Sequence, residues 1–172
     1  GPSVTPGLDG APMGRVFERA RAIGVRTSMD TCFDGNGTWL PLIEPALRHL
    51  DVVMSSYEEA CHYTGQTDPE AIAAFYRSFG VSTVLVKMGA EGLFLSDVTG
   101  SWRISAHRVP VVDTTGAGDA ACGGFLYGYV RGWEPLRCAQ LANAVGALTV
   151  QRIGGGEAVS SLEQALACME AH

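Results

Sequence analysis

A chain of 172 residues fits one domain and buries roughly two-thirds of its unfolded surface without disulfide or metal staples. Apolar residues at 47% and charged residues at 17% exclude a disordered chain, and no apolar run approaches the roughly 20 residues of a membrane-spanning helix, so a soluble domain is expected. A net charge of −6, with the Lys and Arg scattered, provides no field for nucleic acid or anionic lipid, and neither is expected as a partner.

In chain order, Met13-x-x-Val16-Phe17-x-x-Ala20-x-x-Ile23 has helical spacing, and Gly24 stands where a C-cap glycine belongs, so a helix is predicted over 13–23 and a strand over 25–29. A loop rich in Gly, Asn and Asp (30–37) precedes a helix at 39–50 and a short buried strand at 51–54. Helices follow at 56–64 and 69–79, then a β-branched strand at 83–87 and a hairpin of 92–96 with 101–106 around a turn at 97–100. Residues 108–112 lead into a glycine-rich turn, and helices are predicted over 117–131, 135–153 and 162–171. Cys32, Cys61, Cys122, Cys138 and Cys168 form no CxxC pair and no metal-ligand spacing with the histidines, and read as reduced thiols of a cytoplasmic protein. Gly1 and Pro2 stand where an initiator Met would be, with no signal segment, and point to a fragment of a longer protein.

Helices alternating with strands across short loops predict an α/β domain over 1–172, a doubly wound, three-layer, mostly parallel sheet. In such sheets ligands bind beyond the carboxyl ends of the strands, which singles out the turns at 30–37, 55–59 and 113–119.

Val111-Val112-Asp113-Thr114-Thr115-Gly116-Ala117-Gly118-Asp119-Ala120-Ala121 places glycines and hydroxyls between a strand and a helix start. Glycines let backbone N–H groups converge, and a helix N-terminus adds positive potential, so the turn is an anion cradle. Asp119 lies in the first helical turn, beside the place a transferring phosphoryl group would occupy. A carboxylate there repels phosphate unless it accepts the proton of an attacking hydroxyl. The plainer reading is a helix-capping Asp. Ala120, Gly124 and Gly128 give the helix a small face, expected to pack on the sheet. Gly116-x-Gly118-x-x-Ala121 also satisfies a loose dinucleotide pattern, but Asp119 would lie against the pyrophosphate and no acidic residue follows a second strand about 20 residues on.

Asp-Thr-Thr-Gly-Ala-Gly-Asp-Ala at 113–120 resembles the C-terminal signature of the ribokinase-like, phosphofructokinase-B (PfkB) family of carbohydrate kinases. Leu8-Asp9-Gly10, Ser28-Met29-Asp30-Thr31, Glu58-Glu59-Ala60 and Val86-Lys87-Met88-Gly89-Ala90-Glu91-Gly92 resemble family segments in the same order. The resemblance implies an ATP- and Mg²⁺-dependent kinase acting on a hydroxyl of a sugar or related polyol. Asp119 is then the base, and the Gly116, Ala117 and Gly118 amides form the anion hole. It further implies that Glu59 orders water around Mg²⁺, although Ser56 replaces the Asn of the family's Asn-x-x-Glu. Ser56-x-x-Glu59 is equally a capping box that needs no metal.

Lys87, Gly89, Gly92 and Thr115 border the ATP site by the same resemblance, and Asn143 lies where a helix passes the adenine; the plainer readings are a glycine turn and an exposed helix Asn. A monovalent cation such as K⁺ is implied beside Asp113, Thr115, Val150, Ile153 and Gly155, although Gly154-Gly155-Gly156 also suits a plain C-cap. Asp30 receives no catalytic role, only an approach to phosphates at its strand end, and Cys122 reads as core. The family's N-terminal part and β-strand lid, which supply most acceptor contacts and often a homodimer, are expected to lie outside this chain. Substrate identity and oligomeric state therefore stay open.

Overall fold

The computed structural model describes residues 2–171. Its elements are α1 (Ala11–Ala22), β1 (Ser28–Asp30), α2 (Leu40–Leu47), β2 (Val52–Ser56), α3 (Tyr57–Thr64), α4 (Pro69–Ser78), β3 (Thr83–Lys87), β4 (Leu93–Ser96), β5 (Ser101–Ile104), α5 (Ala117–Tyr129), α6 (Pro135–Thr149) and α7 (Leu162–Glu170). The alternation makes this an α/β chain. It divides into two compact units, one of residues up to 87 with 96–101, the other of 88–95 with 102 onward. No described helix is long and apolar enough to cross a membrane.

In the first unit β1, β2 and β3 run parallel, with Asp30 opposite Met54 and Ser56 opposite Lys87. β2 and β3 bury four residues in succession before a half-exposed fifth, the continuous pattern of parallel strands covered on both faces. Both half-exposed residues are polar and lie at the carboxyl ends. Ile43, Leu47, Met54, Ile72, Tyr76, Val84 and Leu85 are fully buried or nearly so and form the centre of the core. α1 lies close against α2 because Gly14 has no side chain: a Cβ there would fall 2.8 Å from the Pro45 carbonyl oxygen. α4 starts at Asp68, whose carboxylate accepts from the Ala71 amide, with Pro69 in the first turn.

Two boundaries differ from the sequence expectation for local reasons. The strand expected over 25–29 is confined to Ser28–Asp30, because Val25 closes the preceding helix: its amide donates to the Ala20 carbonyl while Gly24, at φ 78°, donates to Arg21. The helix expected over 135–153 ends at Thr149, and the Val150 carbonyl accepts instead from the amides of Val112 and Asp113.

In the second unit α5, α6 and α7 pack on one another in sequence. The small face of α5 does not serve the sheet as expected. A Cβ on Gly124 would lie 3.1 Å from the Cα of Ala142 and 3.2 Å from Val145, so the missing side chain is what lets α5 and α6 approach. Cys122 is buried, as a core residue should be.

Candidate functional site

Chemistry-bearing side chains gather in each unit separately. In the first unit they lie at the carboxyl ends of its parallel strands. Lys87, closing β3, directs its ammonium at both oxygens of Asp30, closing β1, at 2.7 and 2.8 Å. Thr31, the next residue after Asp30, donates from Oγ1 to Glu59 Oε2 at 2.7 Å and lies 2.6 Å from the Ser55 hydroxyl. Thr31 and Ser55 are both buried.

Glu59 also completes the capping box of α3. Its amide donates to Ser56 Oγ, and its Oε2 accepts from the Ser56 amide, each at 3.3 Å. The local reading of Ser56-x-x-Glu59 therefore describes real geometry. Among the described residues Oε1 of Glu59 has no hydrogen-bond partner. No group of three or more His, Cys, Asp or Glu is placed among the described residues to hold a metal by itself.

The loop after β1 is organised by Asp34, a buried carboxylate that accepts from the amides of Asn36, Thr38 and Trp39. These bonds, that from Trp39 foremost, hold its carboxyl below the usual range against the opposing effect of burial. They also secure Trp39 at φ 56°, a conformation a large side chain adopts only under constraint. Tyr63 donates to the Cys32 carbonyl at 2.9 Å and fastens the same loop to α3.

The second unit holds the glycine turn. Asp113 Oδ1 accepts from the Thr115 amide at 2.9 Å. That bond foremost, then the Thr115 hydroxyl and the Gly154 amide, keep the Asp113 carboxyl below its ordinary value. Gly116 caps α5 in the left-handed conformation at φ 74°, and a Cβ there would meet Gly155 Cα at 3.4 Å. Gly155 in turn lies against the Thr115 carbonyl, which a Cβ would approach at 3.5 Å. The two glycine loops are thus in close apposition and need their glycines.

The Ala117 amide is engaged by the Thr114 carbonyl at 3.2 Å, whereas those of Gly118 and Asp119 meet no acceptor among the described residues. Asp119 sits in the first turn of α5, exposed, and its carboxylate makes no hydrogen bond or ion pair among the described residues. It makes no capping hydrogen bond and meets the helix start only through the dipole. Free amides at a helix start beside an unpaired, solvent-accessible carboxylate are an arrangement that can receive an anion and accept a proton.

The remaining expected site residues fare differently. Asn143 is buried, not an exposed helix residue, and its Nδ2 donates to the Ser105 carbonyl at 2.7 Å. Gly92, at φ 92°, would place a Cβ 2.0 Å from the Ile104 carbonyl oxygen, and Gly89 is at φ 56°, so both glycines serve the turn between β3 and β4. The Val150 carbonyl accepts from the Val112 and Asp113 amides at 2.7 and 3.2 Å. Ile153 is exposed. Sequence reasoning passed over the pairing of Asp30 with Lys87 and the hydroxyls of Thr31 and Ser55. Their signal was polar residues at the carboxyl ends of strands otherwise made of apolar side chains.

A family model described as pfkB family carbohydrate kinase matches residues 1–162. The chain is 39% identical over 116 residues to 2-dehydro-3-deoxygluconokinase of Thermoproteus tenax, covering 67% of this chain and 36% of that protein. It is similar to the crystal structure of aminoimidazole riboside kinase from Salmonella enterica complexed with aminoimidazole riboside and an ATP analog, with a TM-score of 0.80 and 28% identity over 92% of this chain and 57% of that one. A double mutant of fructokinase from Vibrio cholerae O395, bound to fructose, ADP and potassium ion, is similar at a TM-score of 0.78 and 25% identity over 92% of this chain and 55% of that one. The chain therefore spans 36% to 57% of the length of these relatives.

Proposed function

The chain belongs to the pfkB family of carbohydrate kinases, and from that premise we propose that the protein containing it transfers the γ-phosphate of ATP to a hydroxyl of a sugar or related small polyol. The observation that carries this reading is the exposed, unpaired Asp119 carboxylate in the first turn of α5, next to the uncommitted amides of Gly118 and Asp119. Asp119 takes the proton of the acceptor hydroxyl. That oxygen bonds to the γ-phosphorus as the bond from phosphorus to the β,γ-bridging oxygen breaks, and ADP leaves. The amides at the helix start, with Gly116 and Ala117 shaping the turn, stabilise the negative charge on the transferring group.

Thr115, Lys87, Gly89 and Gly92 border the nucleotide in this proposal, with Lys87 drawn from its Asp30 pairing as a point charge for phosphate. Asn143 contributes by fixing α6 through Ser105, its Oδ1 remaining as the polar atom toward the base. For Mg²⁺, an ion that keeps several waters and is held by one or two carboxylates plus phosphate oxygens, a single carboxylate with one oxygen left over fits. Glu59 is that group. When bound, the ion would neutralise phosphate charge. A monovalent cation of the K⁺ kind is assigned to Asp113, Thr115, Val150, Ile153 and Gly155, the carboxylate and loop carbonyls beside the cradle. Acceptor contacts are assigned to the part of the relatives' length that this chain does not match, and the chain alone is proposed to bind ATP without useful turnover.

The test is Asp119→Asn in the full-length protein, read by coupled ADP release over a sugar panel and by calorimetric ATP titration. A fall in kcat of at least about 100-fold at nearly unchanged ATP affinity is expected for loss of a general base. A variant that keeps most of its turnover removes Asp119 from the mechanism.

A further inference from the structure

Glu59 is held by more than its own helix. A hydroxyl has one proton, and an ionised carboxylate only accepts, so the 2.7 Å contact between Thr31 Oγ1 and Glu59 Oε2 requires Thr31 to be the donor. The 2.6 Å contact between Thr31 Oγ1 and Ser55 Oγ must then run from Ser55 to Thr31, the shorter of the two contacts open to the Ser55 proton, the other being the Ser56 carbonyl at 3.1 Å. The result is a directed relay of two hydroxyls, Ser55 to Thr31 to Glu59, ending on one named carboxylate oxygen.

Backbone geometry fixes its members. Ser55 is a fully buried residue of β2. Thr31 continues the line of β1, with its amide donating to the Met54 carbonyl at 2.9 Å. Oε2 therefore receives the Thr31 hydroxyl and the weaker Ser56 amide, and the carboxylate is turned so that Oε1 is the oxygen without a partner among the described residues. An O–H···O⁻ bond of this length is charge-assisted and about twice as strong as a neutral one.

We propose that Thr31, backed by Ser55, is a positioning residue that sets the orientation of Glu59 toward Mg²⁺·ATP. This rests on the role assigned to Glu59 above. The capping box alone leaves the carboxylate on a single 3.3 Å bond at the start of a helix, where it can rotate; the relay from two neighbouring strands takes that freedom away.

The experiment uses the full-length protein and measures ATP binding by calorimetry over a Mg²⁺ series, with thermal unfolding of each variant alongside. Thr31→Val keeps the side-chain volume and removes the donor. It is expected to raise the Mg²⁺ concentration for half-maximal ATP binding at least fivefold, as an order-of-magnitude figure for a supporting contact to a metal-holding group. Thr31→Ser restores the donor and is expected to return the midpoint to within about twofold of the parent protein. An unshifted midpoint in Thr31→Val, with a shifted one in Glu59→Gln, overturns the relay and leaves the Glu59 reading standing. An unshifted midpoint in both overturns the Glu59 reading itself. A shift that Thr31→Ser does not reverse overturns the relay in favour of a packing role. If Thr31→Val does not fold, Ser55→Ala carries the test, and an unchanged midpoint there overturns the proposal.

Discussion

Substituting Gly124 by alanine tests whether the missing side chain is what permits the close approach of α5 to α6. A Cβ added at Gly124 would lie 3.1 Å from Ala142 Cα and 3.2 Å from both Cβ and Cγ2 of Val145. Carbon atoms in contact prefer about 3.5–4.0 Å, so the helices must part by a few tenths of an ångström or strain their side chains. Overpacking of this kind costs about 1–3 kcal/mol. Alanine also returns about 1 kcal/mol through its better helix propensity, so the net expected loss is between about zero and 2 kcal/mol. Gly123 separates the two effects. It is the preceding residue of the same helix, and a Cβ there meets nothing within 4 Å. Gly123→Ala is therefore expected to stabilise by up to about 1 kcal/mol, and the difference between the two variants isolates the packing cost at about 1–3 kcal/mol. Urea unfolding with unchanged m-values measures it. Equal midpoints for the two variants would refute the claim that the glycine permits the helix contact.

The buried Tyr76 hydroxyl makes no hydrogen bond of good geometry among the described residues, and burial pushes its ionisation well above the ordinary tyrosine value against a smaller opposing effect of the Ser55 hydroxyl. Tyr76→Phe removes a buried hydroxyl that lacks a well-formed hydrogen bond, and is expected to leave stability unchanged or raise it by about 1 kcal/mol; a loss of about 1 kcal/mol or more would show that Ser55 is its partner. Asp34, whose carboxyl is held low by the Trp39, Asn36 and Thr38 amides, contributes stability that is present above its unfolded pKa and lost as pH falls through the lower folded value. Thermal unfolding from neutral pH into the acid range, followed by circular dichroism, is expected to show a steeper acid loss in the parent than in Asp34→Asn, and identical profiles would contradict this role.

Strands were legible where burial was continuous. The apolar run of β3 matches its expected bounds, because a strand covered on both faces admits little else. The helix at Pro69 was marked by Asp68 and the proline, which act on the helix start whatever the tertiary packing. Val25 was not legible. Its β-branched side chain favours a strand, yet its amide is used to close α1, and propensity yields to a local hydrogen bond. The small face of α5 was legible as a close approach but not as to its partner, since spacing by four gives a direction on the helix and says nothing of which element lies there. The pairing of Lys87 with Asp30 joins residues 57 apart in sequence across an intervening strand, and no periodicity records such a contact.

The sequence also left Ser56-x-x-Glu59 with two readings, a capping box and a metal-holding glutamate, that seemed to compete for one side chain. The two readings do not exclude each other, because the two oxygens of the carboxylate are placed differently. Oε2 does the local work, taking the Ser56 amide and the Thr31 hydroxyl, and each bond it accepts narrows the rotation of the carboxyl group. Oε1 has no such duty among the described residues. A carboxylate fixed through one oxygen presents the other in a constant direction, so finding the capping box in place is no argument against a second role. A glutamate whose cap was absent would have to be ordered by the ion itself, at the entropic cost of freezing its side chain on binding. The same economy holds at the glycine turn, where Asp113 is engaged by Thr115 and shapes the loop while Asp119, six residues on, is left without a partner. In both units the carboxylate oxygens that build the local fold are distinct atoms from those left without a partner among the described residues, an arrangement that lets a group be held rigidly and still offer an acceptor.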